Sequence, residues 1–425
     1  MKTRNVLVFP AGTEIGLEIY EALRLCKEVI LFGAGVASSS HGPFAFKHFY
    51  ELPSVNDGNW LDPLINICNN QKIDYIFPAH DDVIVALTKI RNQIPAVILA
   101  AEVDVCITTR SKRATYIALA KFIRVPKLYD VIPVPEDFPL FVKPDCGQGS
   151  QGVALVKNIS ELSIAKQKIK DPIICEYLSG EEYTVDCFSD RISGVIFAGA
   201  RIRKRMRNGI SVNTAPVYLE EALDLAIKIH TTLGMRGAWF FQLKRNNTGN
   251  LTLLEVAPRI AGSMSAHRVQ GMNFPLLTIF EHERLPIRPL INSAPIELDR
   301  ALRNRYRHFF SYSTLYIDLD DTIILRDKVN LDAIQLIYQS LNGKKKVNLI
   351  TRHVGNLHET LNNYHLIGIF DEIIHILDGS LKSKYINDVN AIFVDDSFVE
   401  RWDVSEVLGI PTFDCSMIEL LIQSV

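Results

Sequence analysis

No stretch of this sequence stays apolar for the roughly 18 residues that a helix needs to cross a bilayer, so no membrane partner is expected. Nor is one charge in excess: 46 Lys and Arg face 48 Asp and Glu, a formal net charge of -2. Without surplus cations to neutralise phosphates, a nucleic-acid partner is not expected either. The seven cysteines contain no Cys-x-x-Cys pair and are odd in number. That argues against a disulfide framework or zinc site and for reduced, mostly buried thiols. The chain opens Met1-Lys-Thr-Arg-Asn-Val-Leu-Val-Phe9, straight into a buried-strand pattern with no signal-peptide cleavage region after it. A cytoplasmic protein is the expectation.

At 425 residues the chain is too long for one ordinary core, so two or three domains are expected. Short apolar runs alternate with amphipathic segments, which predicts a multidomain α/β protein. Val6–Phe9, Val29–Phe32 and Tyr75–Phe77 read as strands of an open sheet, with Gly16–Leu25 a helix, in a first subdomain over 1–95. The glycines of Ala11–Gly16 and Phe32–Val36 suit tight strand-to-helix turns, and neither segment completes a dinucleotide fingerprint. From Arg110 the pattern changes. A helical segment, Lys112–Ile123, leads to a strand ending Val142-Lys143-Pro144. Strand-like runs follow at Ile173–Tyr177, Tyr183–Phe188, Val195–Ala200, Ala238–Leu243 and Leu251–Val256, which defines a second region over 96–296. Glu297–His308 is charged and helix-compatible and belongs to a linker expected over 297–312. A new α/β pattern, opened by Thr314–Ile317, fills 313–425.

The segment Phe141-Val-Lys-Pro-Asp-Cys-Gly-Gln-Gly-Ser-Gln-Gly-Val153 joins a strand-end lysine to a glycine loop. Lys143 offers a point charge to a polyphosphate, and the glycines let backbone N–H groups approach phosphate oxygens. Alone, it could be a hairpin with a glycine-rich turn. Downstream, Glu176-Tyr-Leu-Ser-Gly-Glu-Glu-Tyr-Thr-Val-Asp186 sets acidic side chains beside a strand–loop–strand, suited to adenine and ribose hydroxyls. Gln242 and Glu255 lie near the ends of successive strand-like runs. Facing the phosphate cradle, they would hold Mg²⁺ against the β- and γ-phosphates. Arg201, Arg203, Arg205 and Arg207 alternate and share one strand face, which calls for anions such as phosphates and a carboxylate substrate. No aromatic interleaving accompanies them that would suit nucleic acid.

On these residues the sequence resembles the ATP-grasp superfamily, near carbamoyl-phosphate synthetase and D-alanine–D-alanine ligase, over roughly 1–290. The resemblance implies a Rossmann-like subdomain followed by an ATP-grasp fold, with ATP and Mg²⁺ (or Mn²⁺) as cofactors. It implies that Lys112 and Lys143 bind nucleotide phosphates together with Gly147, Gly149, Ser150 and Gly152. Glu176, Tyr177 and Leu178 would contact adenine, Glu182 the ribose, and Gln242 and Glu255 the metal. Arg259 would neutralise a transferring phosphoryl or acyl phosphate, and Arg201 and Arg203 match the arginine pair near acceptor and γ-phosphate. The implied chemistry is carboxylate activation: ATP phosphorylates a carboxylate, and an amine or other nucleophile attacks the acyl phosphate. One departure stands out. These families usually place asparagine two residues after the metal-binding glutamate, where this chain has Ala257. Either water replaces that ligand, or the metal is weakly held and an ATP-binding regulatory or capping module becomes the alternative to a ligase.

The second acidic constellation is Thr314-Leu-Tyr-Ile-Asp-Leu-Asp-Asp-Thr-Ile-Ile324. Three carboxylates within four residues at a strand end repel unless a cation binds them. An Asp321 that caps a following helix would account for one of them. A second strand, Ala391-Ile-Phe-Val394, ends in Asp395 and Asp396, and Val347–Thr351 ends in a hydroxyl. This order is similar to the haloacid-dehalogenase superfamily over 313–425. The resemblance implies that Asp318 is a nucleophile, Asp320 a general acid/base, and Thr351 a phosphoryl-oxygen partner. Asp395 and Asp396 would complete a Mg²⁺ site with Asp318 and Asp320. Lys382 or Lys384 would be the associated lysine, with Lys382 favoured. The stretches 323–350 and 352–381 leave no room for a cap domain, so the site is expected to be open or covered by the ATP-grasp part. The whole reads as a bifunctional ligase and phosphatase. Its partners would be small-molecule carboxylates, amines or other nucleophiles, and a phosphomonoester, with self-association left open.

Overall fold

A computed structural model describes residues 2–131, 133–147, 149, 151–207, 209–292, 294–302, 305–306 and 310–422. The chain divides into two compact units, Met1–Leu302 and Arg303–Val425. Among the described residues no helix is long and apolar enough to cross a membrane.

The first unit begins with a parallel sheet of β1 (Arg4–Phe9), β2 (Val29–Gly35), β3 (His48–Glu51), β4 (Tyr75–Pro78) and β5 (Val97–Ile98), in the order β3-β2-β1-β4-β5. Val6, Leu7, Val8 and Phe9 are all buried, as a central parallel strand covered on both faces requires. The turn after β1 works as the glycine spacing predicts. Thr13 caps helix Glu14–Leu23 by accepting from Gly16 N at 3.0 Å, and a Cβ on Gly16 would lie 2.6 Å from the Ala11 carbonyl oxygen. The second glycine segment differs. Gly33 and Gly35 continue β2 instead of turning, and Gly33 is needed because a Cβ there would meet the Phe46 ring at 2.7 Å. The sheet also outruns the expected boundary at 95, because β5 pairs with β4.

Two antiparallel sheets follow. The small one holds β6 (Leu140–Pro144), β7 (Ala154–Val156) and β8 (Pro172–Glu176), with β6 central. The large one holds β9 (Glu182–Asp190), β10 (Gly194–Arg207), β11 (Ile210–Pro216), β12 (Gly237–Arg245), β13 (Leu251–Ala257) and β14 (Leu298–Asp299), in the order β13-β12-β9-β10-β11-β14. Val185, Cys187, Trp239, Phe241 and Leu253 form its core with Ala226 and Ile229 of helix Ala222–Leu233. Trp239 is fully buried, yet its indole N–H donates to Ser189 Oγ at 2.9 Å, so its polar atom is satisfied. A second cluster joins Val6, Val8 and Phe77 of the first sheet to Phe188, Phe240 and Ala257 of the large one. That shared core fixes the two sheets against each other and sets the walls of a cleft.

The charged segment expected as helix-compatible linker instead supplies β14, with Asn213 opposite Asp299. Its carboxylates explain why: Asp299 accepts from Arg205 at 2.8 Å and Glu297 from Lys204 at 2.8 Å, both cations on β10. Residues 303, 304 and 307–309 of that expected linker lie outside the described set.

The second unit is a parallel sheet of β15 (Thr314–Ile317), β18 (Lys346–Thr351), β19 (Glu372–His375), β20 (Ala391–Val394) and β21 (Thr412–Phe413), ordered β19-β18-β15-β20-β21. A two-stranded hairpin, β16 (Ile324–Leu325) with β17 (Lys328–Val329), follows β15. No helix starts at Asp321, which sits in a turn at φ 55°; the next one, Leu331–Asn342, is capped by Asn330. Between β15 and β18 lie only that hairpin and helix, and between β18 and β19 only helix Leu357–Asn363.

Candidate active sites

In the first unit a cleft of about 460 Å³ lies between residues that follow strands of the first sheet, such as Thr13, Glu14 and Asp81, and residues of the large sheet. A cavity of about 160 Å³ shares Lys112, Arg203, Gln242 and Glu255 with it. The smaller cavity lies along Phe141, Lys143, Cys175, Leu178 and Leu254. Lys143 is 7% exposed and donates to the Tyr116 hydroxyl at 2.8 Å. Burial pushes its ammonium below the usual lysine range, against the pull of Glu255. Lys112 is also lowered by burial. Its Nζ donates to the Gly147 carbonyl at 3.1 Å, so in this state it braces the glycine loop. Asp145 anchors the base of that loop to the N-terminus of helix Lys112–Leu119, accepting from Ser111 Oγ and Arg113 N at 2.7 Å each. Gly149 and Gly152 have φ of 62° and 66°, where only glycine is at ease. Gly147 is ordinary in φ but packs on Pro144. Ser150 lies outside the described residues.

Glu176 ends β8 with its carboxylate turned to Lys127 N at 3.0 Å, so the smaller cavity meets the chain from Glu176 through Tyr177 to Leu178 at a strand end already tied down. Glu182 pairs with Arg203 and, at 3.7 Å, with Lys244. Gln242 on β12 stands directly opposite Glu255 on β13. The Gln242 oxygen accepts from Arg203 at 3.0 Å, whereas Glu255 forms no ion pair among the described residues. Ala257 is buried in the core that joins the sheets.

The four arginines expected on one face do not stay together. Irregularities between Arg203 and Met206 rotate the strand, leaving Arg205 60% exposed against Asp299. Arg207 is exposed at the strand end. Arg201 is buried and grips Asp186 with two bonds of 2.8 and 3.1 Å, while His267 Nδ1 lies 2.9 Å from the same carboxylate. The Arg201 guanidinium, with the His267 hydrogen bond beside it, holds the Asp186 carboxyl below the usual range despite full burial. Arg259 is likewise taken: it pairs with Asp81 at the start of helix Asp81–Lys89 and lies over the Phe240 ring. Asp81 and Tyr116 carry no local motif in the sequence, and Asp145 and Asp186 lie within the quoted segments without any sign of their partners; only the fold brings the four to them.

In the second unit, β15, β18 and β20 are adjacent and parallel, so Asp318, Thr351 and Asp395 meet at their carboxyl ends, where open α/β sheets place ligands. Lys382 Nζ lies 2.5 Å from Asp318 and 2.6 Å from Asp395, and all three are buried. Lys384 is exposed. Burial pushes the Asp318 carboxyl up to about 7, against the pull of Lys382 and with the help of Asp395. The Asp395 carboxyl is raised by burial too. Burial works against the Lys382 ammonium, and the two carboxylates more than reverse it. Carboxylate oxygens of Asp318, Asp395 and Asp396 lie within 4.8 Å of one another, a donor set of hard oxygens that fits Mg²⁺. Asp320 is outside that group. It is half-exposed, and His353 Nδ1 lies 2.9 Å from it.

His353 also reaches Thr360 Oγ1 at 2.9 Å through its other nitrogen, and its backbone N–H donates to Thr351 Oγ1 at 3.1 Å. Buried Glu400 accepts from Lys382 N at 3.0 Å and pairs with Arg352 at 2.6 Å. Thr322 Oγ1 accepts from Asp396 N at 3.0 Å. The sequence reading passes over His353, Glu400 and Thr322. Only His353 leaves a signal, as a titratable group two residues past the strand-end hydroxyl.

Comparison with known proteins agrees with the first unit's architecture. A family model described as "ATP-grasp in the biosynthetic pathway with Ter operon" matches residues 168–290. A D-alanine–D-alanine ligase from Fusobacterium nucleatum is 33% identical over 142 residues, 31% of this chain and 50% of the relative, so the match spans half of that protein's length. Among solved structures, N5-carboxyaminoimidazole synthetase from Staphylococcus aureus complexed with ADP superposes with a TM-score of 0.58 at 14% identity, over 71% of this chain and 83% of the other. The biotin carboxylase domain of Hydrogenobacter thermophilus 2-oxoglutarate carboxylase, in complex with MgADP, ADP and bicarbonate, gives 0.57 at 15% identity, over 68% and 71%. The first unit of this chain has the ATP-grasp fold, and part of its sequence is similar to ATP-grasp proteins.

Proposed function

We propose that the chain is a bifunctional enzyme: an ATP-dependent carboxylate–amine (or related) ligase joined to a Mg²⁺-dependent phosphatase of the haloacid-dehalogenase type that serves the same pathway. The ligase rests on one juxtaposition, Lys143 and Lys112 on one side of a cavity and the strand neighbours Gln242 and Glu255 on the other. In this reading the adenine lies in the slot beside Glu176, Tyr177 and Leu178, and Glu182 meets the ribose. Gln242 and Glu255 hold Mg²⁺ or Mn²⁺, which supplies charge neutralisation to the triphosphate. A substrate carboxylate oxygen attacks the γ-phosphorus and ADP leaves. The amine nitrogen then attacks the acyl carbon, phosphate departs, and the nitrogen loses a proton. The chain's own contribution is mostly positioning and charge. For that, Arg203 has to exchange Glu182 and Gln242 for ligand oxygens, and Arg259 has to share itself with Asp81.

For the phosphatase, the support is the meeting of three carboxylates and Lys382 at adjacent strand ends. An Asp318 oxygen attacks phosphorus while Asp320 gives a proton to the departing alcohol, and water then releases phosphate with Asp320 taking the proton back. Asp318, Asp395 and Asp396 hold Mg²⁺, which supplies charge neutralisation at the phosphoryl group. Thr351 orients the phosphoryl oxygens, and His353 is a positioning residue for Asp320.

The test is a paired assay on the full chain. ADP release should depend on added carboxylate and amine and disappear in Lys143→Ala. Hydrolysis of p-nitrophenyl phosphate with Mg²⁺ should disappear in Asp318→Asn. A protein that neither binds Mg-ATP nor hydrolyses any phosphomonoester overturns the reading. A second reading, a nucleotide-binding module without ligase turnover, is favoured by Ala257 and by the engagement of the Gln242 oxygen with Arg203. Tight calorimetric binding of Mg-ATP with no turnover across a broad acceptor screen would select it.

A further inference from the structure

Five arginines line the larger cleft, and four of them are matched by carboxylates: Arg110 by Asp82, Arg201 by Asp186, Arg203 by Glu182 and Arg259 by Asp81. Arg300 is the exception: it forms no ion pair among the described residues, although its charge is felt by the buried Glu18 carboxyl, which pairs with Arg268. Arg300 directly follows β14, and its backbone N–H donates to the Val212 carbonyl at 2.7 Å, which pins it to the sheet edge. Its Nη1 is buried and has no hydrogen-bond partner among the described residues. Arg201 adds a second such atom. The residue is 2% exposed and lines the same cleft, yet its Nη1 is also unpartnered.

A third feature lies beside them. A Cβ built on Gly262 would be 3.2 Å from Arg300 Nη1 and 3.2 Å from the Glu14 Cβ. Arg300 therefore reaches the start of the ten-residue helix Glu14–Leu23, where the dipole favours negative charge, although Thr13 already accepts from Gly16 N and Glu14 stands in the first turn. A buried guanidinium N–H left without an acceptor costs free energy, and two of them lining one cleft are positions where an anion would be stabilised.

We infer that Arg300 and Arg201 Nη1 bind an anionic group, a carboxylate or a phosphoryl, on the substrate that the proposed ligase joins or activates. The inference rests on the ligase reading for the word substrate. It adds that Arg300 selects for this anionic group. Arg201 cannot serve as the probe, because removing it leaves Asp186 buried without its main partner. Arg300 makes no ion pair among the described residues, so Arg300→Gln is expected to fold.

The experiment measures the thermal stabilisation of the full chain, without nucleotide, by succinate, by inorganic phosphate and by uncharged succinamide. The wild type is expected to gain stability from an anion and not from succinamide. In Arg300→Gln the apparent affinity for that anion should fall about tenfold or more, as loss of a charge-assisted pair implies. Arg300→Lys, which keeps charge but loses the fork, should lie between. A stronger response to succinate assigns a carboxylate, and one to phosphate assigns a phosphoryl group. A wild type indifferent to both anions, an equal response to succinamide, or an unchanged response in Arg300→Gln overturns the inference. A separate Mg-ATP titration of the same proteins keeps the two readings apart. Failure of the wild type to bind Mg-ATP counts against the ligase and leaves the anion result standing.

Discussion

The two units meet the problem of concentrated charge in opposite ways. In the ATP-grasp cleft, arginines are bound one by one to carboxylates from elsewhere in the fold: Arg201 to Asp186, Arg203 to Glu182, Arg259 to Asp81. At the strand ends of the second unit, Asp318 and Asp395 share a single lysine, with the Asp396 carboxylate close by. The first arrangement pairs most of its arginines at rest, so in the reading proposed above a polyanionic ligand would enter by exchange, displacing carboxylates from guanidinium groups. The second gathers more carboxylates than cations, which a divalent cation would relieve without displacing anything but the lysine. On that reading a phosphate site can be prepared by storing cations or by storing anions for a metal.

That comparison can be broken in four places. The largest effect is expected at the strand ends: Asp318→Asn should lower Mg²⁺-dependent p-nitrophenyl phosphate hydrolysis on the order of 10⁴-fold, as loss of a nucleophile does, and a variant that keeps most of its rate denies Asp318 that role. Next comes Asp186→Ala, which strands buried Arg201 and should cost about 3–5 kcal/mol in urea unfolding. A loss below about 1 kcal/mol would mean that the paired arginines of the cleft are not structural. Third, Lys143→Ala should weaken Mg-ATP binding about a hundredfold by calorimetry, through loss of a desolvated cation beside the phosphates, while leaving p-nitrophenyl phosphate hydrolysis unchanged. The smallest is a pH effect. With Asp318 raised to about 7, binding of Mg²⁺ requires loss of its proton. Affinity should rise about fivefold from pH 6 to 7, reach about tenfold by pH 8 and flatten above that. A pH-independent affinity would place the metal away from Asp318.

What the sequence could reveal follows the same division. The strand-end aspartates were legible because each follows a run of four buried residues, Thr314–Ile317 and Ala391–Val394, so the break from apolar to acidic marks both strand and site. Choosing Lys382 over Lys384 needed geometry, since two residues of spacing in a short 3₁₀ turn send one side chain inward and the other to solvent. In the cleft, Lys143 and its glycine loop were legible as a local motif. The carboxylates that occupy the arginines were not, because Asp81 and Arg259 come from different sheets. The alternation rule also failed for Arg205 and Arg207, because irregular pairing rotates β10 past Arg203. β14 escaped for a different reason: a two-residue strand of Leu298 and Asp299 has no periodicity to read, and the cations of β10 determine its place.

Lys382 has a consequence for how the second unit assembles. Standing between Asp318 and Asp395, it is a counter-ion encoded in the chain itself. Small metal-dependent domains stay unfolded until their ion arrives. Here an ammonium group of the chain itself bridges the two strand ends, so in the reading proposed above Mg²⁺ would exchange for a side chain, and closure of the sheet would not depend on the ion.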